Sequence, residues 1–410
     1  MGEVTALVLG GLAPRKAGYG YDISRRAIEQ LHGEGHRLVM TDRSENIKAA
    51  SELAGLADEV HALDFGVPEA CVAWAVEYAQ HSRVDAVLGF REYAVQSVAE
   101  VAAALGLKGN PPQVVRTVRS KDACREHLRS AGLHQPELRL CATLAEAEAA
   151  LREFGRAIVK PRDRSNSQGV TLVEASEHLP AALRHAQLDA EQVIVEQVVV
   201  GAEVSIEGIL LQSEPHILCV TEKRLAQTGF REIGHTLPAS LAAPTERALR
   251  EAVVYALTAL GATTGPFHVE AWLTEDGVVI GEVHLRQGGD WIHAALEWCH
   301  PGLRLYSMWL EDLLGAPRRP TPRPTRGAAI RFVVPDGGTV TRIVGWDEIA
   351  EHPSVLHSSL DLEPGQVIPP VGSNDDRFGV VLVGTERPHD AGPLADRLLR
   401  QLNVELLPEA

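Results

Sequence analysis

Two carboxylates, an imidazole and a guanidinium fall close together in residues 268–291, HVEAWLTEDGVVIGEVHLRQGGDW. HVEAWL and VVIGEVHL are β-rich runs. Thr274-Glu275-Asp276-Gly277 between them is turn chemistry, so the stretch predicts a hairpin. Folding it about that turn puts Glu270 roughly opposite Glu282. Strand alternation then places Glu282, His284 and Arg286 on one face. Such a cluster on an otherwise apolar ribbon is costly unless the carboxylates are neutralised. A divalent cation does this and leaves Arg286 to hold an anion. Hard oxygen ligands favour Mg²⁺, which binds through one or two carboxylates plus substrate phosphates. The competing reading is a charged, solvated hairpin face.

Two lysines earlier in the chain could meet such an anion. Ser120 is a good N-cap for a helix running to about residue 131. Lys121 then sits in the first turn, where the helix dipole favours acids, so it wants an anionic partner. Lys160 ends the apolar run Arg156-Ala157-Ile158-Val159-Lys160, followed by Pro161. Residues 162–170, RDRSNSQGV, follow as a polar, serine-containing run before the next strand. This run has one glycine and two arginines, Arg162 and Arg164, which would carry its positive charge.

The elements that carry these residues follow from patterning. Apolar runs at 4–9, 36–42, 60–64 and 85–89 alternate with helical stretches near 21–34, 68–81 and 92–105. This predicts a parallel sheet with helices on both faces, binding ligands at the carboxyl ends of its strands. Residues 193–211 read as nearly continuous strand, interrupted by Glu196 and Glu203 around Gly201. Residues 221–241 are polar with weak periodicity, which predicts a long functional loop carrying Glu232 and His235 with Lys223 and Arg231 nearby. A helix over 245–260 leads into the hairpin. A proline-rich linker at 318–324 precedes short strands with Gly/Pro turns and a closing helix near 391–402.

Composition narrows the class. The 410 residues suggest about three domains, with 45% hydrophobic and 23% charged residues as in ordinary globular chains. The formal net charge of -16 argues against a nucleic-acid partner. No apolar run is long enough to predict a transmembrane helix, and the N-terminal residues lack signal-peptide features. Five widely spaced cysteines without a C-x-x-C predict reduced, mostly buried thiols and a cytoplasmic protein.

The run Glu282-Val-His284-Leu-Arg286-Gln-Gly288-Gly289, preceded by Glu270 on the neighbouring strand, resembles the metal-binding end of the ATP-grasp ligases. It departs at His284, where that family usually has Asn. The order Lys121, Lys160, Glu196/Glu203, Glu270, Glu282 follows the family pattern along essentially the whole chain. The resemblance implies an α/β ATP-grasp architecture: an N-terminal parallel-sheet domain at 1–112, a small lobe at 113–198, a large lobe at 199–317 and a β-rich capping domain at 318–410.

It also implies roles. Lys121, Lys160 and Ser167 would hold phosphates, Glu196, Gln197 and Val198 would read the adenine edge, and Glu203 would bind the ribose. Glu270, Glu282 and His284 would hold Mg²⁺, with Mn²⁺ as the substitute. Arg286 would neutralise shifting charge, and Glu232 or His235 would act as base. Gly288, Gly289, Asp290 and Trp291 would line a substrate pocket, and Arg15, Tyr19 and Glu92 would lie on the acceptor side.

The activity implied is an ATP-dependent, ADP-forming carboxylate–amine ligation, similar to the L-amino acid ligases, with small-molecule substrates and, as in many family members, a dimer. Alternatives are a ligase for a non-amino-acid acid or amine in secondary metabolism, a carboxylase resembling biotin carboxylase, and a non-catalytic ATP-binding regulator.

Overall fold

A computed structural model describes residues 4–162, 168–186, 191–226, 231–369 and 374–407. The N-terminal strands form a four-stranded parallel sheet in the spatial order Glu59–Ala62, Arg37–Asp42, Thr5–Leu9, Ala86–Leu88. Alternation along Thr5–Leu9 sends Ala6 and Val8 toward Ile23 and Ala27, and Leu7 and Leu9 toward Cys71 and Val101. Both faces are therefore apolar, and helices Tyr19–His32, Pro68–Ala79 and Val95–Ala104 cover them, within two or three residues of the periodicity.

The small lobe is an antiparallel sheet ordered Leu138–Cys141, Val193–Gln197, Ala157–Lys160, Thr171–Val173. Helix Leu144–Phe154 packs on it and starts with a capping box: Thr143 Oγ1 accepts from Glu146 N, and Glu146 Oε2 accepts from Thr143 N. Ser120 does precede helix Lys121–Ser130, but its hydroxyl donates to Asp122 at 3.0 Å instead of capping the backbone. Helix Ala243–Leu260 likewise begins two residues before Thr245, with Pro244 inside its first turn.

The run 193–211 is two strands in two different sheets. Val193–Gln197 belongs to the small lobe, residues 198–201 cross between lobes, and Ala202–Leu211 enters an eight-stranded antiparallel sheet. That sheet is ordered Gly277–His284, Gly265–Thr274, Ala202–Leu211, Glu214–Leu225, Glu232–Leu237, Gly327–Phe332, Gly379–Thr385, Val355–Leu360. Its last three strands come from the C-terminal region, which adds a separate three-stranded sheet, Val367–Ile368, Gly338–Val344, Asn403–Leu407, and helix Ala391–Leu399.

The expectation of a long loop at 221–241 is corrected. Most of it is two paired strands, Glu214–Leu225 and Glu232–Leu237, with Lys223 opposite His235. Thr221 and Lys223 point inward while Glu222 and Arg224 point out, so the two-residue period is present. The inward face is itself charged, and that hid the strand.

All five cysteines are buried and unbonded. Burial pushes the thiols up, Cys124 and Cys299 to about 12 and Cys141 to about 11. Native protein should therefore leave a thiol-specific colour reagent unreacted at pH 8, with all five cysteines responding after unfolding in guanidinium. Rapid labelling of folded protein would contradict this packing. No helix among the described residues is long and apolar enough to cross a membrane.

Candidate active site

A cleft of ≈ 600 Å³ lies between the small lobe, the eight-stranded sheet and the carboxyl ends of the N-terminal strands. Lys121, Lys160, Glu196, Glu203, Lys223, Glu232, His235, Glu270, Glu282, His284, Arg286, Gly289 and Asp290 all line it. The hairpin forms as the sequence reads: strand Gly265–Thr274 turns through two residues into Gly277–His284. A bulge beside Glu270 shifts the register, with Val269 facing Val283 and Ala271 facing Ile280. Glu270 therefore lies across from Gly281 and Glu282.

Lys121 reaches Glu282 at 3.4 Å across more than 150 residues of chain. His284 turns Nε2 toward Glu282 at 3.5 Å and Nδ1 toward Glu92 at 3.1 Å. Burial pushes the Glu282 carboxyl up, but Lys121 and His284 outweigh it and hold it well below the usual range. Glu92, from the N-terminal region, accepts from Arg286 Nε at 2.7 Å. Its carboxyl is also held low, because Arg286 and His284 outweigh burial. Glu92 thereby docks the N-terminal unit on the acid hairpin.

Lys223 stands at the centre of three carboxylates: Glu203 at 2.8 Å, Glu232 at 2.6 Å and Glu270 at 2.8 Å. Burial works against its charge, but Glu232, Glu270 and Glu203 drive its pKa well above the ordinary lysine value. The three carboxylates offer oxygens within 4.8 Å of one another. Beneath them, Glu207 accepts from Ser205 at 2.8 Å and meets His268 Nδ1 at 2.9 Å, while His268 Nε2 approaches Glu270 at 3.5 Å. Burial alone would lower His268; Glu207 and Glu270 raise it to about 9. A Cβ on Gly288 would come within 3.0 Å of Glu207 Oε2 and 3.2 Å of His268, so the first glycine lets the chain pass over this buried pair.

In the small lobe, Lys160 meets Glu196 at 2.6 Å, and Arg125 pairs with the other Glu196 oxygen. Burial raises Glu196, and Arg125 and Lys160 more than reverse it. The Glu196 carboxylate is thus committed within the lobe. The Gln197 side chain is exposed, and the residue's backbone N–H donates to Glu137 O at 2.8 Å. Val198 opens the crossing between lobes.

Arg162 is paired with Asp122 at 2.7 Å. Ser167 and Arg164 lie outside the described residues. Tyr19 and Glu92 line the cleft, whereas Arg15 sits on the surface with Glu52 at 2.5 Å. Trp291 is corrected as a lining residue. Asp290 and Trp291 take left-handed φ of 51° and 66°, which turns the indole out of the cleft to stack on His357 at 3.6 Å.

Sequence reasoning missed Arg125, Glu207 with His268, and Arg377. Each is a charge inside an apolar or unremarkable segment whose partner is distant in the chain. Glu207 alone carried a local signal, as an acid in the otherwise apolar run 206–211.

Residues 155–295 match the ATP-grasp domain model, and residues 331–406 match L-amino acid ligase C-terminal domain 2. The alanine–anticapsin ligase of Bacillus amyloliquefaciens is 26% identical over 233 residues, covering 51% of this chain and 49% of that protein. Uncharacterized protein y4rH of Sinorhizobium fredii is 28% identical over 321 residues, covering 76% and 66%. The chain thus matches less than two thirds of the length of these curated relatives. In structure it is similar to the L-amino acid ligase from Bacillus licheniformis, with a TM-score of 0.78 and 22% identity, covering 99% of each chain.

Proposed function

On the premise that the chain is an ATP-grasp protein with an L-amino acid ligase C-terminal domain, we propose that it is an ADP-forming ligase joining a carboxylate to an amine, with amino-acid substrates. The observation that carries this reading is the Lys121–Glu282 contact at 3.4 Å, in one cleft with Lys160, Glu270 and Arg286. Lys121 meets a hairpin acid there and Lys160, from a separate segment, lines the same cleft, which is the layout a metal–triphosphate needs.

The donor set fits a hard divalent cation. Glu270 and Glu282 would supply oxygens, and His284 Nε2 lies 3.5 Å from Glu282 with its Nδ1 3.1 Å from Glu92. When bound, Mg²⁺ would draw charge off the terminal phosphates of ATP. The residues do the rest. Lys121 and Lys160 bind the phosphates, and Arg286 steadies charge as a substrate carboxylate becomes an acyl phosphate. Glu232 or His235 takes the proton released when a neutral amine attacks the acyl carbon and phosphate leaves. Glu203 faces the ribose. The four domains are taken at 1–112, 113–198, 199–317 and 318–410.

The test is phosphate release with ATP, Mg²⁺ and a panel of amino-acid pairs. Release that needs both an acid and an amine supports the ligase. Release that needs bicarbonate instead makes the protein a carboxylase. ATP binding with no release under any condition makes it a non-catalytic binder.

A further inference from the structure

One charged pair at the substrate end of the cleft has no part in the chemistry above. Asp290 lies directly after the two glycines and lines the cleft. Arg377, from the C-terminal region, grips it with both ends of its fork: Nη1 to Oδ2 at 2.6 Å and Nη2 to Oδ1 at 2.8 Å. The third donor of the fork, Nε, goes to Asn374 O at 2.8 Å, and the guanidinium plane lies over Phe332 at 3.9 Å. Asn374 in turn accepts from Glu232 N at 2.8 Å. Both side chains are nearly buried, at 12% and 13% exposure, so little solvent screens them. His235 approaches the same carboxylate at 3.5 Å. Apolar groups share this lining with His235 and Glu232. Tyr19 lies against Gly289, and Ile23, Phe90 and Ile292 continue the lining.

We propose that Asp290 and Arg377 form a charge filter that restricts the side chain received at this end to uncharged ones, aliphatic or aromatic. This deepens the ligase reading and rests on it. The two ions satisfy each other, so this pair offers no uncompensated charge. A cationic side chain would have to displace Arg377 from Asp290, and an anionic one would have to displace Asp290 from Arg377. Each would leave a buried ion without a partner. The pair positions and selects substrate; neither residue reacts.

The experiment is phosphate release by wild type, D290A, R377A and the double variant D290N/R377Q, with each amino acid paired with alanine as acid and as amine. Wild type should favour uncharged side chains over Asp, Glu, Lys and Arg by at least about 10-fold at one of the two positions. D290A bares Arg377 and should shift that ratio about 10-fold toward Asp and Glu; R377A should shift it similarly toward Lys and Arg. The double variant leaves no bare charge and should gain neither.

Wild-type turnover of charged and uncharged side chains at equal rates in both positions overturns the filter. So does an unchanged ranking in folded single variants. Should a single variant fail to fold, the wild-type panel still decides. Absence of release with every pair sinks the ligase reading instead. The filter is then read from calorimetric binding of leucine against glutamate and lysine to wild type with ATP present.

Discussion

Substituting Glu282 by Gln is expected to lower amine-dependent ADP release by about 10³-fold while leaving the fold in place. A metal-held phosphate draws several kcal/mol of charge stabilisation in the transition state, and each 1.4 kcal/mol or so is a factor of ten. The amide cannot replace the ionised oxygen that faces Lys121 and His284. The structural cost is small by comparison. Lys121 and Glu282 keep 15% and 25% exposure, so water screens the lost pair only in part. Removing the charge also relieves its repulsion with Glu270. Thermal unfolding should therefore move by no more than about 3 °C. Wild-type turnover in this variant would remove Glu282 from the metal set, and a collapsed circular-dichroism spectrum would make its role structural.

The second large effect is on stability. Lys223→Met should cost about 3–5 kcal/mol, read as a lower urea midpoint, because it leaves three crowded carboxylates facing one another without their ammonium. Glu203, already raised by burial and by Glu270 and Glu232, would take up a proton first. The variant should also become sensitive to divalent ions. With carboxylate oxygens within 4.8 Å of one another, millimolar Mg²⁺ or Mn²⁺ should recover a substantial part of the loss, whereas wild type should respond less. A midpoint equal to wild type without added metal would show that the ammonium is not what holds these acids together.

What could be read from the chain divides along physical lines. Lys121, Lys160, Glu270, Glu282, His284 and Arg286 were legible because each is fixed by a local rule: a helix start, a strand end or the two-residue period of a hairpin. They share one cleft once folded. Arg125 was not legible. It is only 2% exposed, yet it lies in a helix as polar as any surface helix, and its partner Glu196 is on a strand far along the chain. Lys223 was legible as a nearby charge but not as the centre of three acids, since Glu203, Glu232 and Glu270 meet it from separate strands of the sheet. Arg377 and Asp290 are 87 residues apart, and no spacing rule joins them. The polar run 221–241 reads as exposed, but its polarity belongs to the wall of the cleft.

The eight-stranded sheet also bears on how such proteins can be recombined. Glu232–Leu237, the strand that carries His235, is paired on its far side by Gly327–Phe332 through Gly234 to Leu237. Splicing a relative's tail onto this chain at the proline-rich linker would thus graft a new neighbour onto the strand that aims His235, with unmatched hydrogen-bonding register as the hazard. Transplants that keep the strand with its partner would carry the imidazole's aim along with the tail.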